Sequence, residues 1–180
     1  MTLKKMILCA LFAAFTAVCS QIALPLPFTP VPVNLATLSV ITAGVLLGAQ
    51  AATVSQLVYL LAGAVGLPVF ARFQGGIAVL LGPTGGYLIG YVAAAFITGW
   101  ISENRNGQFF WHCIAMAAGV AACYFFGTVW YIVLTHSSPA AALIMAVIPF
   151  LPGDCLKILA GAFLAKSLRP HLLRTQSSSE

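Results

Sequence analysis

Three charged side chains interrupt the apolar stretches of this 180-residue chain: Arg72, Asp154 and Lys157. A charge inside an apolar span costs on the order of 3 kcal/mol, so such groups normally face an interior cavity and have a partner. Asp154 and Lys157 are three residues apart, which places them on one face of a helix. The pair is therefore either a structural ion pair that fixes a helix or part of a site for a polar ligand.

The neighbouring residues favour the ligand site. Pro149, Pro152 and Gly153 break the helical pattern just before the charged pair, and transporters place their binding sites where helices are broken beside charged residues. Lys157 also lies early in its helix, where a cation faces the positive end of the helix dipole. Asp154 can compensate part of that charge, and the carboxylate of a bound ligand could supply the rest.

A glycine-rich segment between residues 66 and 87 is the second candidate. Glycines allow a ligand to approach the backbone closely, and Phe70, Phe73 and Tyr87 offer aromatic walls. A tight loop with helix-packing glycines explains the composition equally well. If the segment does bind a ligand, the residues that we expect to contribute are Arg72, Gly75, Gly76, Thr84, Gly85 and Tyr87.

Asn34, Gln56 and Tyr59 are polar residues within apolar runs. Hydrogen bonds between helices explain such residues more often than ligand contacts do. We nevertheless include Asn34 and Tyr59 among the candidate binding residues, because both could point into the bundle.

The sequence argues against metal, cofactor and ATP chemistry. The five cysteines form no C-x-x-C pair, and the three histidines share no ligand spacing with them. The phosphate-binding motif G-x-x-x-x-G-K-[ST] is absent, so any ATP-driven work must be done by another chain. An intramembrane enzyme would need a nucleophile beside a base. Asp154 and Cys155 are adjacent, but neighbouring side chains on a helix point about 100° apart, so they make a poor catalytic pair.

The elements that must position these residues are membrane-spanning helices. Hydrophobic residues make up 61% of the chain and charged residues only 6%, whereas globular domains have about a quarter charged residues. With roughly 20 residues per span, we predict one all-α integral membrane domain of six transmembrane helices and no bound nucleic acid. The predicted helices cover about residues 5–24, 34–48, 52–66, 84–101, 109–134 and 152–168.

The remaining segments are predicted from their prolines, glycines and charges. A structured loop joins the third and fourth helices, and a short outer helix over residues 140–148 precedes the sixth. The first apolar run is too long for a typical secretory signal. Basic residues at Lys4, Lys5, Arg105, Lys166, Arg169 and Arg174 lie on one side and only Arg72 on the other, so we expect both termini and the tail over 169–180 to be cytoplasmic.

Small residues recur at four-residue spacing in the first helix, where Ala10 precedes Ala14 and Ala13 precedes Ala17. Such faces let helices approach closely. Most of them serve packing within one protein, and a partner protein is the alternative.

The runs Gly66–Gly76, Gly82–Tyr87 and Pro149–Lys157 together resemble the BioY family, the biotin-binding S components of energy-coupling factor (ECF) transporters. The resemblance spans nearly the whole chain and includes its length and its Pro-rich first loop. Each motif alone is unspecific, whereas the combination is specific.

The resemblance implies that Asp154 and Lys157 lie in a biotin pocket and that the two glycine-rich runs line and cover it. It implies that Ala10, Ala14 and Ala17 meet a transmembrane coupling protein, which drives vitamin uptake at the plasma membrane together with two ATPase subunits. Biotin is then the substrate, with no further cofactor. An S component for a different vitamin is the main alternative, since related S components share this architecture.

Overall fold

The computed structural model describes residues 3–25, 27, 31–103 and 108–177, with side chains up to Leu168. Its described part is almost entirely helical, which confirms the all-α prediction. The α-helices are α1 (Leu3–Gln21), α2 (Ala36–Leu47), α3 (Ala49–Ala64), α4 (Ile77–Leu81), α5 (Gly85–Glu103), α6 (Phe109–Thr135), α7 (Pro139–Ala146) and α8 (Leu151–Ser177). Strands β1 (Ala23–Leu24) and β2 (Val33–Asn34) pair antiparallel.

Among the described residues, four helical stretches are long and apolar enough to cross a membrane: α1, α5, α6 and the α7–α8 stretch up to Leu168. The last stretch is interrupted by a 3₁₀ turn at Ile148–Phe150. Helix α2 is apolar but only 12 residues long. A short helix of this kind lies in the bundle interior or thins the bilayer locally.

Helix α5 lies at the centre of the bundle and packs against α2, α3 and α6. Of its apolar span, 61% is buried inside the protein, compared with 28% for α1. Small residues make this packing possible. A Cβ atom on Gly44 would lie 2.7 Å from the Thr98 Cβ atom, and one on Gly99 would lie 2.4 Å from the Ala49 nitrogen, so these backbones approach closely because both positions are glycine.

Two predicted helix ends near the Pro-rich loop were wrong by two or three residues. Helix α1 ends at Gln21 rather than at residue 24, because residues 23 and 24 pair with β2 instead. The residue before Pro25 also disfavours helix. Helix α2 begins at Ala36 rather than at residue 34, because Asn34 lies in β2 and its side-chain Oδ1 accepts a hydrogen bond from the Ala36 N–H at 3.1 Å.

The start of α3 and the end of α8 also differ from the prediction. Helix α3 begins at Ala49 rather than at residue 52, because Oε1 of Glu103 accepts a hydrogen bond from the Ala49 N–H at 3.0 Å. This acceptor comes from the distant end of α5 and satisfies one of the free N–H groups of the first turn. Helix α8 continues to Ser177 rather than ending at residue 168. The end of an apolar pattern indicates where a helix leaves the hydrocarbon core of the membrane, and the helical backbone can continue beyond that point.

The segment between α3 and α5 is structured, but it is more helical than the predicted loop. It contains a 3₁₀ turn at Ala71–Phe73 and the one-turn helix α4. The indole N–H of Trp130 on α6 donates a hydrogen bond to the Gly82 carbonyl at 2.9 Å. The short helix before the last span, predicted over residues 140–148, is α7; it begins at Pro139, where the Ser138 hydroxyl accepts a hydrogen bond from the Ala141 N–H.

Candidate ligand-binding site

The charged pair lies in the first two turns of α8. The Lys157 Nζ atom donates to Oδ1 of Asp154 at 2.7 Å. Only 5% of Asp154 and 8% of Lys157 are exposed. The 3₁₀ turn at Ile148–Phe150 ends the α7 stretch, and α8 starts directly after it, with Pro152 in its first turn. The helix break therefore places a buried ion pair in the bundle interior, with both side chains on the same face of α8.

Tyr124 on α6 is the second partner of this carboxylate. Its hydroxyl donates a short hydrogen bond to Oδ2 of Asp154. Each carboxylate oxygen therefore has a donor, one charged and one neutral, and the side chain is held in one orientation. The sequence alone does not single out Tyr124, because it lies in the long apolar helix α6 among many aromatic residues and nothing in that run indicates which of them faces α8.

The pair faces a cavity of about 140 Å³ at one end of the bundle. A single water needs only about 10–15 Å³ of such space, so the cavity can hold a molecule considerably larger than water. Its walls come from the start of α2, the end of α3, the 3₁₀ turn, the first turns of α5, the middle of α6 and the α7–α8 break. The polar and charged residues of the lining include Asn34, Thr37, Tyr59, Arg72, Gln74, Thr84, Tyr87, Tyr91, Tyr124, Asp154 and Lys157.

Three of the predicted site residues do not line the cavity: Gly75, Gly76 and Gly85. They shape the adjoining backbone instead. A Cβ atom on Gly75 would lie 2.3 Å from the Leu67 carbonyl oxygen, and one on Gly85 would lie 1.7 Å from that of Leu80. Gly76 has a φ of +97°, and its N–H donates to the Gly63 carbonyl at 2.7 Å. These glycines therefore let the segment fold tightly, which is the alternative that the sequence left open.

The other seven predicted residues do line the cavity: Asn34, Tyr59, Arg72, Thr84, Tyr87, Asp154 and Lys157. Asn34 Oδ1 accepts a hydrogen bond from the Tyr91 hydroxyl at 3.4 Å. The Tyr87 hydroxyl donates to the Ala146 carbonyl at 2.9 Å. These two bonds join β2, α5 and α7 around the cavity. The polar groups of Asn34 and Tyr87 therefore hold the wall together and also make it polar.

Two aromatic rings of the wall fit against glycines on neighbouring helices. A Cβ atom on Gly63 would lie 2.0 Å from the Phe70 ring, and one on Gly127 would lie 2.3 Å from the Tyr87 ring. Phe70 also packs edge-on against Tyr59, with ring centroids 5.6 Å apart. Aromatic rings therefore form part of the wall around the charged pair, and glycines at fixed helix positions make room for two of them.

Arg72 differs from the charged pair in its exposure. It lines the cavity from the 3₁₀ turn but is exposed, and its backbone adopts the left-handed conformation with a φ of 61°. The cavity is thus bordered by one buried cation, Lys157, and one exposed cation, Arg72. Together they can bind an anionic group, while the Asp154 carboxylate can accept hydrogen bonds.

The small residues proposed for a partner surface lie on α1. Ala10 and Ala14 are exposed, Ala17 is half-buried, and Ala13 lies in the core of the bundle. One side of this helix thus packs internally through Ala13, while the side with Ala10 and Ala14 is uncovered in this chain.

Taken together, these features define a multi-pass helical membrane protein with a partly open, charged cavity, lined in part by aromatic rings, at one end of its bundle. Within the described ranges, no three His, Cys, Asp or Glu side chains lie close enough together to hold a metal ion.

The model of the BioY family matches residues 1–174. The chain belongs to the BioY family. It is 34% identical to the biotin transporter BioY of Thermotoga maritima, over 93% of this chain and 96% of that protein. It is 37% identical to the probable biotin transporter BioY of Pyrococcus horikoshii, over 94% of this chain and 98% of that protein.

A solved structure has the same fold. It is the crystal structure of the S component for biotin from an ECF-type ABC transporter, with a TM-score of 0.87 and 29% sequence identity. The match covers 94% of this chain and 95% of that one. The shared fold therefore extends over nearly the full length of both chains.

Proposed function

We propose that this protein is the substrate-binding membrane subunit of a biotin uptake transporter and that it binds biotin in the cavity beside α8. The names of its relatives and of the solved structure support this substrate. The observation that carries the proposal is the buried Asp154–Lys157 pair, which lines a cavity within the helix bundle. The protein is a transport component rather than an enzyme, as its family membership indicates.

The chemistry of biotin suits this cavity. Its ureido group has two N–H donors and a carbonyl, its thioether ring is apolar, and its tail ends in a carboxylate. Asp154 can accept from a ureido N–H, and Lys157 can donate to a carbonyl or carboxylate oxygen. The aromatic wall of Tyr59, Phe70 and Tyr87 suits the apolar ring. Arg72 is the second cation that can meet the tail, since it borders the cavity from the exposed side.

Six membrane spans and cytoplasmic termini are the proposed arrangement. Helices α2 and α3 would join the four long apolar stretches as short interior spans, which tolerate a length mismatch where neighbouring helices surround them. Lys4, Lys5 and Lys166 would then lie on the cytoplasmic side of the plasma membrane. Arg105 and the side chains of Arg169 and Arg174, which complete the charge argument, lie outside the described residues.

The partners would be a transmembrane coupling protein and two ATPase subunits. The exposed Ala10 and Ala14 on α1 would let a helix of the coupling protein approach closely. The similarity to an S component supports this general arrangement. The chain itself lacks a phosphate-binding loop, so the energy for uptake would come from the ATPases.

The test is a ligand screen on the purified full-length protein. We expect biotin to raise the melting temperature, while riboflavin and thiamine leave it unchanged. Asp154→Asn should abolish high-affinity biotin binding, measured with radiolabelled biotin in lipid nanodiscs, while the protein elutes as a folded species. Stabilisation by another vitamin alone would show an S component of different specificity, and unchanged affinity in Asp154→Asn would place the site elsewhere.

A further inference from the structure

The C-terminal end of α1 is tied to the cavity wall by side-chain hydrogen bonds. Nε2 of Gln21, the last residue of the helix, donates to the carbonyls of Val69 at 3.2 Å and Phe70 at 3.1 Å. Its Oε1 accepts from the Phe73 N–H at 2.8 Å. The neighbouring Ser20 hydroxyl donates to the same Val69 carbonyl at 2.6 Å. One amide group thus binds both ends of the turn that follows α3.

This turn forms a wall of the cavity and has an unfavourable backbone conformation. Phe70, Ala71, Arg72 and Gln74 line the cavity. Arg72 and Phe73 have φ values of 61° and 57°, in the left-handed region that residues other than glycine rarely adopt. Such conformations persist where surrounding contacts over-determine them. The turn has its own bridge, from the Phe70 N–H to the Gln74 carbonyl at 2.9 Å, and Gln21 adds hydrogen bonds from a different helix through both its Nε2 and its Oε1 atoms.

We propose that Gln21 is a positioning residue of the ligand site: it holds the turn at residues 70–74 closed against the cavity and thereby slows ligand exchange. Phe70 and Arg72 line the cavity, whereas Gln21 does not and would act on a ligand only through them. The identity of the ligand rests on the function proposed above, but the role of Gln21 in fixing the turn does not. Losing its hydrogen bonds lets the turn open more often, so ligand enters no more slowly and leaves faster.

The Gln21 hydrogen bonds also connect the small-residue face of α1 with the cavity wall. Gln21 belongs to the same helix as the exposed Ala10 and Ala14, so α1 carries both the small-residue face and the tie to the cavity wall. A displacement of α1 relative to α3 would therefore stretch the Gln21 bonds to the turn. The wall residues are thus mechanically connected to the helix that has the uncovered face.

The test compares Gln21→Met with Gln50→Met in the full-length protein in lipid nanodiscs. Methionine keeps the length of glutamine and its helix preference but cannot form these hydrogen bonds. Gln50 is an exposed residue at the start of α3 and does not line the cavity. In Gln21→Met we expect the amides of residues 70–76 to exchange hydrogen about five- to tenfold faster without ligand, the factor for losing one or two ordinary hydrogen bonds. The biotin off-rate should rise by a similar factor without a fall in the on-rate, and Gln50→Met should match the wild type.

Each result decides a separate point. Unchanged amide exchange in Gln21→Met overturns the role of Gln21 in fixing the turn, with or without a bound ligand. Faster exchange with an unchanged off-rate shows that the turn is not a barrier to ligand release, and this also overturns the proposal. A merely structural role would lower the melting temperature and the active fraction but leave the off-rate of the active protein unchanged. If the wild type does not bind biotin at all, the proposed function fails, and the exchange experiment still decides the role of Gln21.

Discussion

Asp154 has a different donor on each carboxylate oxygen, Lys157 on Oδ1 and Tyr124 on Oδ2. Removing one partner of a buried ion pair is strongly destabilising, because it leaves an uncompensated charge. The ligand-free pair is already compensated within the chain. A ligand with both N–H donors and a carboxylate can therefore bind to it without leaving either charge unpaired.

The Tyr124 hydroxyl, the neutral donor to Asp154, can be removed without breaking the ion pair. Tyr124→Phe removes the hydroxyl but keeps the ring and the Asp154–Lys157 ion pair. A hydrogen bond to a charged group contributes about 1.5–3 kcal/mol to stability, and Asp154 loses its fixed orientation without it. If that orientation contributes about 1.4 kcal/mol to ligand binding, biotin affinity falls about tenfold. Equilibrium binding of radiolabelled biotin measures the change. Tyr131→Phe is the control, because Tyr131 is buried on the same helix and does not line the cavity; equal losses in the two variants would contradict a specific role for Tyr124.

The sequence predicts part of this site and not the rest, for a physical reason. Charge in an apolar segment is a strong signal, so Asp154, Lys157 and Arg72 could be found without a structure, and all three border the cavity. The contribution of Tyr124 could not be found, since it depends on which face of α6 meets α8. That face is set by the packing of the whole bundle and not by any local spacing.

At the level of the elements, glycines determine where the aromatic wall can lie. Gly127 leaves room on α6 for the Tyr87 ring, and a Cβ atom there would overlap it. A Cβ atom on Gly153 of α8 would instead point into open space, with no other element of the described chain within 4 Å. The two glycines therefore differ in function, although both lie in helices near the cavity.

Gly127→Ala should therefore impair the site, whereas Gly153→Ala should not. The added methyl forces the buried Tyr87 ring to move, and overpacking of this kind typically costs about 1–3 kcal/mol. We expect a lower melting temperature and weaker biotin binding for Gly127→Ala. Gly153→Ala should be neutral or slightly stabilising, because alanine favours helix over glycine by about 1 kcal/mol. Thermal unfolding followed by tryptophan fluorescence compares the two, and similar losses in both would show that the ring is not closely packed.

The starts of α3 and α7 show which helix ends the local sequence can predict. The start of α3 at Ala49 depends on Glu103, which is distant in sequence, so no local pattern around residue 49 predicts it. The start of α7 at Pro139 is a local matter, because Ser138 and Pro139 form a typical N-terminus. Helix ends set by neighbouring residues can thus be predicted, and those set by tertiary contacts cannot.

The exposed face of α1, with Ala10 and Ala14, leads to a prediction about transport rather than about ligand binding. Ala14→Trp fills the close-approach surface, so biotin uptake by whole cells should fall, by about tenfold if the contact contributes about 1.4 kcal/mol. Biotin binding to the purified variant should be unchanged, because Ala14 does not line the cavity. Ala121→Trp on α6 is the matched control, since Ala121 is also exposed. Normal uptake in Ala14→Trp would show that this face does not meet a partner.

For the whole molecule, the position of the cavity matters because an uptake protein must receive its ligand from outside. The turn at residues 70–74, the α6–α7 connection and the start of α8 all lie at the cavity end of the bundle. The first residues of α3 and the last residues of α5, joined by the Ala49–Glu103 hydrogen bond, lie at the opposite end. If the charge asymmetry sets the orientation, the cavity opens outward.

Cysteine labelling in intact cells tests that orientation. In a background with the native cysteines replaced, Ser137→Cys lies in the α6–α7 connection and Ser179→Cys lies near the C-terminus. A membrane-impermeant maleimide should label Ser137→Cys in intact cells and Ser179→Cys only after the cells are opened, because the basic residues hold the termini inside. The reverse pattern would place the cavity on the cytoplasmic side. A binding subunit for uptake could not then collect biotin from outside, even if every contact in the cavity were as described.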